Sequence, residues 1–264
     1  MGEHTIRPSV QQAKIVSVVF IGWYYLVSHV ARPVTTLFML ISTDGKISTG
    51  SNDSLDLDRD FPRISGIKEG LNQYYEIEQT TDLHSLCSGR VLVKVGANEP
   101  RKDIKKLPVS FLIIDNEPHL NEIGVDYFIK KSRVLYVITT NKAHPAFERK
   151  GADNLKIIYY EREIDFTDLF RRLKEDYNID KITIQTGGTL NSVFIRNKLI
   201  DKLSLVIAPA LIGGKDTASL IDGESLASTE ELSLIKALKL TEVKKLDHSY
   251  VHLQYDVIND TGVE

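Results

Sequence analysis

The chain has 264 residues, 42% of them hydrophobic, with a formal net charge of −3 and a pI near 6.2. That suffices for a full core, in one large domain or two small ones, and leaves no basic footprint for nucleic acid. The single cysteine, Cys87, excludes an internal disulfide and any cysteine-based zinc site, so a reducing, cytoplasmic compartment is the expectation. The local basic groups around Arg101-Lys102 and Lys130-Lys131 are interleaved with acids and read as solvated faces.

Residues 15–30, IVSVVFIGWYYLVSHV, form an apolar run between Lys14 and Arg32. It is shorter than the ~20 residues of a spanning helix and is diluted by Ser17, Gly22, Ser28 and His29. Three readings stand: a membrane anchor, an extra helix packed on the domain or a partner, and an extension outside the functional chain. The pattern of the main domain starts at Arg32-Pro33, which favours the last two and divides the chain into residues 1–31 and 32–264.

In chain order, Thr35–Ile41 reads as a buried strand ended by Asp44-Gly45. Thr49–Arg63 is polar and reads as a long loop, and Ile67–Ser88 has helical spacing, as two helices broken near Thr80-Thr81. Arg90–Val95, Val109–Asp115, Arg133–Thr139 and Leu155–Tyr160 read as strands, and Phe166–Tyr177 as an amphipathic helix. Lys181–Gln185 is a β-branched strand, Gly187-Gly188 a turn, Thr189–Leu199 a helix and Leu203–Ala208 a strand. Ala237–Lys244 and Tyr250–Ile258 close the chain as two strands around a turn at Asp247-His248. Alternating strands and helices with two strands together at the end predict a single α/β domain. Its sheet is mostly parallel, with an antiparallel C-terminal edge.

Two adjacent glycines between a strand and a helix let the backbone turn tightly and turn free N–H groups toward whatever lies above the helix. Those donors and the helix dipole suit an anion such as a phosphate, although Gly-Gly is also an ordinary connection. Asp44 and Lys46 admit two readings as well: a simple turn, or charges facing the crevice at strand ends where open α/β sheets bind ligands. Pro209 to Gly214 serves as an exit loop or a ligand contact on the same grounds. Among the histidines only His248 and His252 are close, and their even separation would put both on one face of a strand. No HExxH, GxSxG, GxGxxG or Walker lysine occurs, which argues against a metal site and against the common hydrolase and ATPase motifs.

The segments Thr35–Lys46, QTGGTL at 185–190, Leu199–Leu203 and Ala208-Pro209-x-Leu211-x-Gly213 together resemble the riboflavin-biosynthesis reductase family. This is the C-terminal domain of the bifunctional deaminase–reductase, and the resemblance spans about Arg32 to Ile258. It implies a dihydrofolate-reductase-like three-layer α/β/α fold, a homodimer, and NADPH-dependent reduction of a ribosylaminopyrimidine phosphate. It further implies cofactor contacts at Gly187, Gly188, Thr189 and Leu190, and substrate contacts at Asp44, Lys46, Ser54 and Gln185. Asn98-Glu99-Pro100 is the nearest match to the family's Asp-Asp-Pro-type turn, which adds Asn98 to the cofactor contacts. Gln185 departs from the family in standing where an acidic residue is usual, which removes a charge from the substrate side. That leaves room for a same-fold reductase of another pterin-like or carbonyl substrate, or for a nucleotide-binding protein without turnover. One cysteine cannot supply a zinc deaminase, so deamination would be done elsewhere.

Overall fold

The computed structural model describes residues 31–263; the apolar N-terminal run lies outside them. Among the described residues no helix is long and apolar enough to cross a membrane. Entry into the domain is fixed by Arg32, whose guanidinium reaches both oxygens of Asp201 at 2.8 and 2.6 Å. Asp201 also accepts from the Thr35 amide, so the start of the first strand is clamped to the turn before a distant one.

Strand β1 (Val34–Ser42) sits near the middle of a nine-stranded sheet of order β5-β4-β3-β2-β6-β1-β7-β9-β8. The others are β2 (His84–Ser88), β3 (Ser110–Ile114), β4 (Leu135–Thr139), β5 (Leu155–Tyr159), β6 (Lys181–Gln185), β7 (Lys202–Ala208), β8 (Ala237–Lys245) and β9 (Val251–Ile258). The pairs from β5 across to β7 are parallel, while β9 runs antiparallel to both β7 and β8. Helices cover both faces, so inner strands such as β1, β3 and β4 are nearly continuous apolar runs, whereas β2 and β6 are not.

Alternation along β1 sorts the core into layers: Leu37 and Ile41 face one side, Phe38 and Leu40 the other. The first side is covered by α5 (Phe166–Glu175) and α6 (Gly188–Arg196) through Leu169, Phe170, Leu173 and Phe194. Phe194 is fully buried and meets the rings of Phe166 and Phe170 edge-on, so truncating it to alanine would cost about 3–5 kcal/mol. The other side is covered by α1 (Leu57–Asp60) and α2 (Asn72–Glu78) near β1, and by α3 (Gly89–Lys94) and α4 (Glu122–Lys131) near β3.

Two sequence expectations fail here. His84–Ser88 forms a strand rather than the end of a helix: it is inserted between β6 and β3, and its Ser85, Leu86 and Cys87 are buried. Arg90–Val95 is then helical, because Ser88 caps it by accepting from the Val91 amide and the chain must turn away from the sheet. The Thr49–Arg63 segment is partly ordered into α1 and a helical turn at Phe61–Arg63, with Asp56 as the cap. Helix α4 went unread, since its apolar residues alternate with Gly124 and Asp126 and give a weak stripe.

Candidate active site

The carboxyl ends of β1, β6, β2 and β3 open on one cleft of about 1010 Å³. Its floor and walls come from the residues that follow each strand, the position where open α/β sheets bind ligands.

Strand β6 delivers the glycine pair. Gly187 is the N-cap of α6, with extended backbone (φ −75, ψ 161), and no side chain caps the helix. The other two long helices are capped, α4 by Asn121 and α5 by Asp165. A Cβ on Gly187 would come no closer than 4.0 Å, to Val91, so its outer face is open to the cleft. Gly188 is a glycine for a different reason: a Cβ there would lie 2.3 Å from the Ser219 carbonyl oxygen and 2.4 Å from an Asp222 carboxylate oxygen. The Asp222 amide donates to the Gly188 carbonyl, so the 219–222 turn buttresses the loop. Buried Thr186 and Asn191 hold it from beneath, their side chains 2.6 Å apart, with Asn191 also bonded to the Leu220 carbonyl. Thr189 and Leu190 line the same wall.

Gln185, the last residue of β6, faces the opposite wall. Its amide nitrogen donates to Glu78 Oε1 at 2.6 Å and to the Tyr74 hydroxyl at 3.3 Å, and its oxygen accepts from Ser85 Oγ at 3.2 Å. Tyr75 donates to Asp58 at 2.8 Å. Burial pushes the Tyr74 and Tyr75 phenols above their ordinary range, and neighbouring carboxylates add to the effect. Burial raises the Asp58 and Asp56 carboxyls as well; the Tyr75 hydroxyl counters this at Asp58, whereas the Asp58 charge reinforces it at Asp56. Cys87, in the floor, is pushed up to about 11 by burial and stands as a neutral thiol.

A third wall carries the positive groups. Arg90, on α3, pairs with Asp53 and draws the 48–56 loop to that helix, holding the Asp53 carboxyl below its usual range. Beyond it, buried Asp115 at the end of β3 accepts from His119 and His144 side chains at 3.0 and 3.1 Å and from two backbone amides. Burial alone would raise the Asp115 carboxyl; these four hydrogen bonds carry it below the ordinary value instead. Gly89 is required there, because a Cβ would lie 2.3 Å from the Asp115 carboxyl group.

Of the residues singled out from the sequence, Gln185, Gly187, Gly188, Thr189 and Leu190 come together in the cleft. The rest lie outside its lining. Asp44 turns to the neighbouring exit loop, accepting from Ser42 Oγ and from the amides of Ile212 and Gly213. Lys46 donates to the Thr217 carbonyl and Ser219 Oγ. Ser54 is exposed and bonded to Asn52, although Ser51 to Asp53 beside it do reach the cleft. Asn98 follows α3 instead of a strand, so it faces away and braces the loop at His119 and Asn121. His248 occupies a turn at φ 54 while His252 is buried in β9 against Ser204, so the two do not share a strand face. Tyr74, Glu78, Asp58, Arg90 and Asp115 were missed. A legible signal existed for Tyr74 and Glu78, which lie one helical turn apart on a helix that the apolar spacing had found.

The strand order and the helices on both faces define a three-layer α/β/α fold with a cleft at the strand ends, a fold shared with solved RibD structures. Residues 33–252 match the RibD C-terminal domain, and the chain belongs to that family. It is 26% identical over 209 residues to the 2,5-diamino-6-ribosylamino-4(3H)-pyrimidinone 5′-phosphate reductase of Methanothermobacter thermautotrophicus, covering 74% of this chain and 86% of that one. It is 24% identical to the riboflavin biosynthesis protein RibD of Actinobacillus pleuropneumoniae, covering 86% of this chain and 58% of that protein. Among solved structures, Acinetobacter baumannii RibD superposes with a TM-score of 0.60 at 17% identity, over 92% of this chain and 63% of that one. The riboflavin biosynthesis reductase Rib7 of Saccharomyces cerevisiae does so at 0.55 and 16% identity, over 87% and 91%.

Proposed function

We propose that this oxidoreductase uses NADPH to reduce a ribosylaminopyrimidine phosphate to its ribitylamino form. The observation that carries the cofactor assignment is the uncapped N-terminus of α6 opening into the cleft, beside a glycine whose missing Cβ leaves room for a phosphate to approach the backbone. The residues present fit such a group: Gly187, Gly188 and Thr189 offer backbone N–H donors at the positive end of the helix dipole. When bound, the nicotinamide supplies a hydride to the sugar carbon attached to nitrogen, and the protein's part is to bind and orient. Gln185 and the side chains around it supply polar partners for the pyrimidine on the opposite wall.

The same reading includes a homodimer and a cytoplasmic setting. Edge strand β8 is exposed along nearly all of its length. A bulge between Leu240 and Glu242 keeps Leu238, Leu240 and Val243 on one face, opposite Val257, Tyr255 and Leu253 of β9. An apolar edge of this kind is suited to burial against a second copy.

The test is NADPH oxidation by the purified chain with the ribosylaminopyrimidine phosphates named for the relatives. Turnover with formation of the ribityl product supports the proposal. Saturable NADPH binding without oxidation of any such substrate would contradict it.

A further inference from the structure

The polar segment between β1 and α1 spans the cleft and is tied to its far side at one point. In the sheet β6 lies between β1 and β2. A chain that leaves β1 and is held by α3, the helix after β2, therefore passes the carboxyl end of β6, where the glycine loop begins. The neck of the segment is fixed. The hydroxyl of buried Ser48 bridges the carbonyls of Gly50 and Leu55 at 3.1 and 2.9 Å, and Asp56 and Leu57 are buried where α1 starts. The Leu55 side chain leaves no room for a Cβ at Gly50. The tip, residues 51–54, is exposed, and within it Ser54 bonds to Asn52. Its tie to α3 is Asp53, whose carboxylate meets Arg90 Nε and Nη2 at 3.2 and 3.1 Å and Lys94 Nζ at 3.6 Å. Arg90 and Lys94 stand one helical turn apart, so both reach the same carboxylate. Among the described residues, 51–54 make no other hydrogen bond or ion pair outside the 48–56 loop. Both partners line the cleft, Gly50, Asn52 and Asp53 from the loop and Arg90, Val91 and Lys94 from the helix.

We propose that residues 50–54 form a strap across the cleft, latched by Asp53 on Arg90 and Lys94, and that the floor at the ends of β6 and β2 is reached when the latch opens. A strap held shut by packing would bury an apolar side chain on α3, and the tip, Ser51-Asn52-Asp53-Ser54, has none. It is held by charge alone. Arg90 and Asp53 are 62% and 53% exposed, and a pair so wet shifts an equilibrium only a few-fold. Salt weakens it further. The buried neck keeps its place while the tip moves, so opening costs little besides that pair. The device governs entry to the cleft whatever the ligand, and stands apart from the chemistry done there.

The single cysteine supplies a reporter that needs neither cofactor nor substrate. Cys87 lies in the cleft floor at 5% exposure. Its thiol is shifted by burial, Ser85, Glu78 and Lys131 and not by Asp53 or Arg90, so changes in the latch act on its access. The experiment is the rate at which the neutral reagent methyl methanethiosulfonate modifies Cys87 in the full chain, at low and high sodium chloride. It compares wild type, Asp53→Asn, Arg90→Gln and the double variant, with an unfolding curve for each. At low salt Asp53→Asn should react about 2- to 5-fold faster than wild type. Arg90→Gln, which leaves Lys94 in place, should gain somewhat less. The double variant should be no faster than Asp53→Asn, because both changes remove one latch. High salt should bring wild type up to Asp53→Asn and leave that variant where it is. Folded variants that react at the wild-type rate overturn the proposal. So does a double variant in which the two single effects multiply, or a wild type modified only as fast as it unfolds globally.

Discussion

The loops after β1 and β6 start from neighbouring parallel strands and end in opposite conditions. Ser42 to Lys46 is closed on itself and on the 210–219 segment: Asp44 accepts one side-chain and two backbone donors, and Gly45 takes φ +78 to complete the turn. Thr186 to Leu190 is braced from below but carries no cap on its helix, so its donors face the cleft. A strand end in an open α/β sheet is thus not by itself a binding site. What separates the two is whether the polar groups there are already satisfied by the protein.

Substitutions can break that contrast at either loop. The largest structural effect is expected from Gly188→Ala, since the added Cβ meets the backbone of the 219–222 turn at 2.3 Å. Overpacking of this kind should cost about 1–3 kcal/mol in urea unfolding and weaken NADPH binding at the same time. Asn191→Ala comes next. It strands the Thr186 hydroxyl and the Leu220 carbonyl in a buried setting, for about 1–2 kcal/mol, with a smaller loss of cofactor affinity.

Asp44→Asn should do least, about 1 kcal/mol or less because the side chain is exposed, and should leave NADPH affinity alone. Its signature is pH dependence. Hydrogen bonds led by Ser42 lower the Asp44 carboxyl from 3.8 to about 2, so its contribution is complete above the unfolded value and is lost as the pH falls from about 4 through 2. Wild type and Asp44→Asn should therefore converge in stability across that acid range. Curves that stay parallel there would contradict the closed-loop account.

Much of the parallel half of the sheet was legible in the sequence, through a continuous apolar run as in Leu135–Thr139 or a β-branched stretch as in Lys181–Gln185. His84–Ser88 was not: a histidine, two serines and a cysteine carry no such run, and its strand state comes from pairing with β3 and β6. One side of the site was legible for a local reason, since Gly187-Gly188 needs only its own strand and helix to be recognised. The other side brings Glu78 from α2 against Gln185 from β6, a contact between residues 107 apart that no local spacing announces. Asn98 was misplaced by the same limit: once Arg90–Val95 becomes a helix, the turn after it lands away from the cleft.

The measurement that tests the central claim most directly is NADPH titration of wild type and Gly187→Asp, with unfolding curves for both. The extended backbone at 187 and its open surroundings accept the new side chain, and an aspartate at an N-cap bonds the helix N–H groups itself. The account predicts a fold that is as stable as wild type or a few tenths of a kcal/mol more so. It also predicts NADPH affinity reduced about 100-fold, because the carboxylate occupies the donors and repels the phosphate. A stable Gly187→Asp that binds NADPH like wild type, or a wild type that does not bind it, would contradict the claim that the α6 N-terminus is the cofactor site.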